Sequence, residues 1–260
     1  MNDENAAGKP QPGEGVRNWF DRGGRAYARF RPDYPPALAA FLASVAPDTR
    51  LAVDVGCGNG QLTQLLAPHF DAVLGLDPSA DQIEHAQPGE RLRYQCAPAE
   101  RLPLADRSVG LMTAAQAAHW FDLPAFYREV RRVAVPGAVI ALISYGVLRL
   151  EPALDARFQR FYRDEIGPYW PPERALVDGG YATLDFPFDE MQAPALEIHV
   201  DWPLDGLLGY LLTWSSVRAA REAGHEQLLL DFARDITALW GNADTPRTLV
   251  WPLNMRVGVV

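Results

Sequence analysis

Lysine is almost absent from this sequence. Lys9 is the only one among 24 basic residues; all the others are arginine. It falls in the polar Gly/Pro-rich stretch 1–15, which is expected to be a disordered tail. Lysine Schiff-base chemistry, pyridoxal phosphate attachment and a P-loop lysine are therefore excluded. Cysteine is nearly as scarce, with Cys57 and Cys96 alone. Two such cysteines give no disulfide framework and no zinc spacing, and they suit a reducing, cytoplasmic setting. His69, His85, His199 and His225 are scattered at no metal-ligand spacing, so no metal is expected. Long apolar runs are missing too. The longest candidate, 133–147, is broken by Pro136, Gly137 and Ser144, so no membrane span is expected. Residues 1–15 also lack the apolar core of a signal peptide. Basic charge is short overall: 24 Lys+Arg against 33 Asp+Glu leave a net charge of −9. Nucleic acid is a poor partner for such a chain, because phosphate contacts need a basic face. There is no G-x-S-x-G nucleophile elbow.

What remains is a chain of 260 residues, 48% apolar. That length suits one large α/β domain, or one domain with an insertion. Residues 36–45 carry helix-favouring residues with an apolar stripe and suit a helix. Short, nearly continuous apolar runs at 51–55 (LAVDV) and 72–76 (AVLGL) suit strands buried on both faces. Alternation at 91–95 suits a strand near a sheet edge. Further strands are expected at 109–115 and 138–145, with helices at 60–67, from the Ser79 cap to 87, and at 122–135. This β-α-β order at short spacing predicts a doubly wound, mostly parallel sheet. The regularity stops near 148. Residues 149–240 read as a mostly helical, aromatic-rich cap with one strand at 196–202, inserted before a closing strand at 241–260. The core with its N-terminal lid is then 16–148.

The strongest local pattern is AVDVGCGNGQLT at 52–63. Gly56, Gly58 and Gly60 follow a strand and open a helix, which permits a tight turn and close backbone approach to a ligand. The dinucleotide fingerprint would need Gly or Ala at 61, where Gln61 stands. The observed G-x-G-x-G after Asp54 fits S-adenosylmethionine better than NAD. Asp77 ends the second strand, 21 residues past Gly56, where a carboxylate can accept both ribose hydroxyls.

These residues resemble class I S-adenosylmethionine-dependent methyltransferases, in particular the small-molecule branch with trans-aconitate methyltransferase-like proteins. The blocks that carry the resemblance are YARFRPDYP (27–35), VDVGCGNGQLT (53–63), GLDPS (75–79), APAERLPLADRSVGLMT (97–113) and AQAAHWFD (115–122). A later TWSSVR (213–218) looks like a substrate-side helix. The resemblance implies a Rossmann-like, seven-stranded sheet and the cofactor S-adenosyl-L-methionine. It implies that Asp54 and the backbone of Gly56, Cys57 and Gly58 hold the methionine part, and that Asp77 takes the ribose. Pro78 flanks the adenine, and Ala99 with Glu100 marks the loop at the adenine edge. Gln116 lies beside the sulfonium, and Tyr27 and Arg31 belong to a lid. Pro98 replaces an acid common among relatives, and Gly110 replaces the Asp of the fourth strand.

Around that core lie residues with two readings each. His119 follows the fourth strand, where it either orients or deprotonates an acceptor, or is structural. Trp120 is expected to pack the pocket wall. Tyr145 closes the fifth strand as a pocket or core residue. Trp214 and Arg218, four apart, share a helical face if both line an acceptor site; otherwise Trp214 anchors the cap. Arg25 and Arg29 read as a solvated face, and Cys57 as a space filler. The implied reaction is in-line methyl transfer to a small molecule, to a carboxylate or a hydroxyl oxygen. The rivals are a cofactor-binding protein without turnover and an NAD-dependent dehydrogenase. The acceptor and the oligomeric state stay open.

Overall fold

This computed structural model describes residues 30–260. The stretch 1–15, Arg25, Tyr27 and Arg29 lie outside the described residues. In chain order the core elements are α1 (Pro36–Val45), β1 (Leu51–Val55), α2 (Gln61–Leu66), β2 (Ala72–Asp77), α3 (Ala80–Glu84) and β3 (Leu92–Cys96). Then come β4 (Val109–Ala115), a single 3-10 turn at Ala118–Trp120, α4 (Leu123–Val133) and β5 (Ala134–Tyr145). The remainder is α5 (Pro152–Arg160), which runs into a π-helical turn at Phe161–Glu165, α6 (Arg174–Asp178), β6 (Asp189–Met191), β7 (Leu196–Trp202), α7 (Leu204–Leu211), α8 (Ser215–Glu222), α9 (Glu226–Trp240) and β8 (Arg247–Val259).

The sheet order is β3-β2-β1-β4-β5-β8-β6, and β7 also pairs with β8. The pairs among β1 to β5 are parallel, whereas β8 runs antiparallel to β5, β6 and β7. The doubly wound architecture and the edge position of β3 agree with the sequence. The strand count is eight rather than seven. The extra strand, β6, has three residues, too few for a period-2 signal. It pairs with Val257–Val259 of β8, and β7 pairs with Arg247–Leu253. Residues inside the stretch expected as cap therefore extend the sheet. β5 begins at Ala134, ahead of the expected 138, because Pro136 and Gly137 form an irregularity within the strand. The register steps there from Val109↔Ala134 to Leu111↔Val139, and Gly137 has φ +77°. α3 stops at Glu84 rather than 87, since Pro88 disfavours helical backbone at the residue before it.

Alternate residues of the strands feed two cores. Ala52, Leu111, Val139, Ala141 and Ile143 face α1, α2 and the C-terminal helices. Val53, Val55, Met112, Ala114, Ile140 and Leu142 face α4 and residues 177–186. Phe158, Phe161, Phe232 and Trp240 are fully buried in the first of these cores together with Leu38 and Leu42. The cap is thus continuous with the sheet core. Burying each large side chain contributes about 1.5–3 kcal/mol. At the other end of α4, Asp122 caps the helix by accepting the Ala125 amide, and Arg131 and Arg132 occupy the last turn. Arg132 also donates to the carbonyls of Leu102 and Leu104, which pins the loop after β3 to α4.

Candidate active site

The carboxyl ends of β1, β2, β4 and β5 converge at one edge, the position where parallel α/β sheets hold ligands. After β1, Gly56, Gly58 and Gly60 all have positive φ, at +70°, +56° and +91°. The loop folds back on β2: the Gly56 and Cys57 amides both donate to the Leu76 carbonyl, at 2.7 and 3.0 Å. Two of the glycines are fixed by protein packing. A Cβ at Gly56 would lie 2.4 Å from Ala117 Cβ, and one at Gly60 would lie 2.3 Å from Tyr94 Oη. Gly58 differs, since among the described residues a Cβ there would meet only Gln82 Oε1 at 3.7 Å. Its backbone therefore faces open space. Cys57 packs inward with its Sγ near the Gly58 carbonyl, and burial pushes its thiol well above the usual range. It is a space filler, as the sequence suggested.

Asp77 is buried at the end of β2, and each of its oxygens accepts one backbone amide. Oδ2 takes Gly58 N–H and Oδ1 takes Ser79 N–H, both at 2.9 Å. A carboxylate has about four lone-pair sites, so two remain for a ligand. Asp54 is 1% exposed and is held between Thr63 Oγ1 and Thr113 Oγ1, each donating at 2.8 Å. Burial raises its pKa to about 6, against the pull of both threonines. Sequence reading missed these threonines. A hydroxyl in the middle of the apolar β4 run was the available signal for Thr113.

After β4, Gln116 adopts a left-handed φ of +54°, a strained conformation for a residue with a side chain. Its amide donates to the Ile143 carbonyl at 2.8 Å and its Nε2 to the Tyr145 carbonyl at 3.3 Å. Tyr145 is buried beside Tyr34, and its hydroxyl accepts from Arg31 Nη1 at 3.1 Å. Tyr34, also missed, is itself buried, which pushes its phenol pKa up. Ala99 is buried, while the neighbouring Glu100 accepts the Asp122 amide at 3.0 Å and so ties the loop after β3 to α4. Pro78 is exposed next to Asp77. Gly110 sits at the start of β4, the end remote from this edge. A Cβ there would press on the Asp48 carbonyl at 3.1 Å, so the substitution is accommodated away from the site.

His119, in the 3-10 turn, places Nδ1 2.9 Å from the Tyr181 hydroxyl. A phenol both donates and accepts, so this contact forms with the neutral ring in either tautomer. Burial, aided by the Arg174 charge, lowers the His119 pKa to about 4. The ring is therefore neutral near pH 7 and a weak base. Trp120 corrects the sequence reading: it is 62% exposed and leans on the His119 ring instead of packing a wall. Trp214 and Arg218 are one helical turn apart, the Arg218 amide donating to the Trp214 carbonyl at 3.2 Å, but their side chains differ in burial. Trp214 precedes the first residue of α8 and is buried among Phe158, Tyr162, Trp170 and Tyr210, whereas Arg218 is exposed. Tyr162, Arg174 and Tyr181 complete this side, and no pattern in the sequence singled them out.

A parallel sheet closed by an antiparallel strand, with a three-glycine loop bonded to the acid that ends β2, defines a methyltransferase architecture. A methyltransferase domain model matches residues 53–142. A protein from Dictyostelium discoideum that carries a methyltransferase name is 32% identical over 230 residues, spanning 87% of this chain and 88% of its own. A solved structure from Anaeromyxobacter dehalogenans, titled as a type II methyltransferase, is 46% identical, with a TM-score of 0.84 over 88% of this chain and 98% of that one. The malonyl-[acyl-carrier protein] O-methyltransferase of Dechloromonas aromatica is 34% identical over 149 residues, 52% of this chain and 55% of that protein. The chain belongs to the class I S-adenosylmethionine-dependent methyltransferases.

Proposed function

We propose that this protein binds S-adenosyl-L-methionine and transfers its methyl group to an oxygen of a small-molecule acceptor, in the cytoplasm. The observation that carries the reading is the bond between Gly58 and Asp77. It presents an open backbone cradle and a half-satisfied carboxylate side by side. Asp77 takes the ribose hydroxyls with its remaining lone pairs. The backbone of Gly56, Cys57 and Gly58 holds the methionine end, and Gly60 turns the chain into α2. Asp54 serves that end indirectly: both of its oxygens are engaged by threonines, so it braces the loop from beneath. Pro78, with the Ala99–Glu100 loop, borders the adenine. Gln116 stands beside the sulfonium, with Arg31 and Tyr27 on the lid side.

When bound, the cofactor would supply an electrophilic methyl group on a cationic sulfur. The protein's part is binding, orientation and exclusion of water. The neutral His119 ring borders the acceptor, Tyr145 lines the same edge, and the aromatic rings around Trp214 form the apolar wall. With no base supplied by His119, an acceptor oxygen ionised at neutral pH fits this arrangement, and a carboxylate is such a group. One relative over half of the chain is named as an O-methyltransferase, which also favours oxygen.

Thermal unfolding with and without S-adenosylhomocysteine, with NAD as control, tests the reading. Ligand at 100 times its dissociation constant stabilises by about 2.7 kcal/mol, an expected rise of roughly 5–10 °C. Stabilisation by NAD alone, or by neither ligand, would overturn it.

A further inference from the structure

Arg174 is a mostly buried cation whose hydrogen-bonding capacity is only partly used. Its side chain is 18% exposed. Its Nε–H is directed at both the Tyr162 hydroxyl and Asp178 Oδ1, each at 2.8 Å. Among the described residues no acceptor is hydrogen-bonded to Nη1 or Nη2. The guanidinium lies over Trp170 at 4.6 Å and near Tyr162 at 5.5 Å from the ring centres. The one carboxylate beside it is shared, since the Tyr162 hydroxyl also reaches both oxygens of Asp178.

Arg157 is a buried arginine whose charge is paired twice, although its Nη1 has no hydrogen-bond partner among the described residues. Its side chain is 11% exposed, and two carboxylates, Glu165 and Asp235, bind it at 3.0 and 3.1 Å. Arg174 has a single carboxylate, bound at Nε, and its Nη1 and Nη2 carry four further N–H groups. A guanidinium held rigid on one edge and stacked on aromatic rings is pre-organised to bind a carboxylate bidentately on the other. Neither Nη of Arg174 is among the buried atoms without a partner, so the fork is open to solvent, where a ligand carboxylate can replace water.

The position agrees with that task. The helix α6, which begins at Arg174, packs against the 3-10 turn that carries His119 and against β5, and Tyr162 beside Arg174 packs on Trp214, which in turn meets Tyr210. Arg174 therefore borders the acceptor side of the edge that carries the glycine loop.

We propose that Arg174 is the specificity-determining residue for the acceptor: its Nη1–Nη2 fork takes a carboxylate of a small organic acid, with Trp170 and Tyr162 walling the site. This rests on the methyltransferase reading above for the placement of the acceptor.

The test is calorimetric binding to the whole protein saturated with S-adenosylhomocysteine, using two isosteric pairs as probes: benzoate against benzamide, and glutarate against glutaramide. At least one carboxylate is expected to bind tenfold or more tightly than its amide. Arg174→Gln is expected to abolish that preference, and Arg174→Lys to keep only part of it because it lacks the fork. The thermal shift with S-adenosylhomocysteine is retained in both variants. If neither pair discriminates in the wild-type protein, the proposal is overturned, whether or not the variants fold. A folded Arg174→Gln that keeps the full preference also overturns it. Failure of S-adenosylhomocysteine to bind the wild-type protein would instead remove the methyltransferase reading. The probe pairs, measured without it, would still decide the role of Arg174.

Discussion

The backbone amide of Gly58 donates to Asp77 Oδ2 at 2.9 Å, which locks the glycine loop after β1 to the acid that ends β2. The loop conformation and the carboxylate position are therefore one unit. Asp77→Ala frees two amides, those of Gly58 and Ser79, and removes the ribose acceptor together with the brace. A stability loss of about 1–3 kcal/mol is expected from the amides left without partners. The loss in S-adenosylhomocysteine affinity should be larger, at least tenfold by calorimetry. Wild-type affinity in a folded Asp77→Ala protein would refute the ribose assignment.

The three loop glycines separate structure from binding. Gly60→Ala combines φ +91° with a 2.3 Å clash against Tyr94 Oη, so it should cost more than about 2 kcal/mol in chemical denaturation. Gly58→Ala meets no close neighbour among the described residues and carries the strain of φ +56°, about 1–2 kcal/mol. It should nevertheless weaken S-adenosylhomocysteine binding, because the new methyl group occupies the open cradle. Adding Tyr94→Ala should relieve the clash in Gly60→Ala but leave the backbone strain. Equal stability losses at 58 and 60 would contradict this division.

The sheet was legible in the sequence because its strands are buried on both faces and read as apolar runs ended by Gly or Asp. Ser79 and Asp122 marked helix starts for the same local reason: a short polar side chain caps the amides just after it. The pairing of β6 with β8 was hidden, because three residues of Asp-Glu-Met carry no period. On the site side, Asp77 and the glycines were legible from their position after strands. The Thr63–Asp54–Thr113 bridge, the Tyr181 partner of His119 and the half-used Arg174 were not. Each joins residues far apart in sequence through tertiary packing, and no local spacing encodes such a pair. Trp120 shows the limit from the other direction: a large aromatic at the right strand end was expected to be buried, yet the 3-10 turn directs it outward.

Trp214 and Arg218 were four residues apart with a shared role in view, and their surroundings now predict opposite outcomes. The Trp214 ring meets Trp170 at 5.1 Å, Tyr210 at 5.5 Å and Tyr162 at 5.6 Å between centroids. Trp214→Ala removes the centre of that cluster and should cost about 3–5 kcal/mol. Arg218→Ala changes an exposed side chain and should stay within about 0.5 kcal/mol. Denaturant melts of the two variants check this. A large effect at Arg218 would reopen the case for an acceptor contact there.

Two buried groups, Asp54 and His119, set opposing pH dependences of stability. Asp54 titrates at about 6 in the folded protein and at 3.8 ordinarily, so its protonated form favours folding. Its contribution is present at low pH and is lost as pH rises through about 6. His119 titrates at about 4 when folded and at 6.5 ordinarily, so its neutral form favours folding. That contribution is present above pH 6.5 and is lost as pH falls toward 4. Between pH 4 and 6 the two slopes act against each other. The lowered carboxyls of Asp48, Glu129 and Glu190 add a common acid sensitivity. Asp54→Asn keeps the size of the side chain but removes one slope. From pH 6.5 to 4.5 its midpoint should therefore fall more steeply than that of the wild type. His119→Gln removes the other slope and should flatten the profile. The comparison is one of slopes, so a uniform drop in midpoint from either substitution leaves it intact. Parallel profiles for all three proteins would show that neither group titrates where its burial places it, and that His119 is not held neutral by its surroundings.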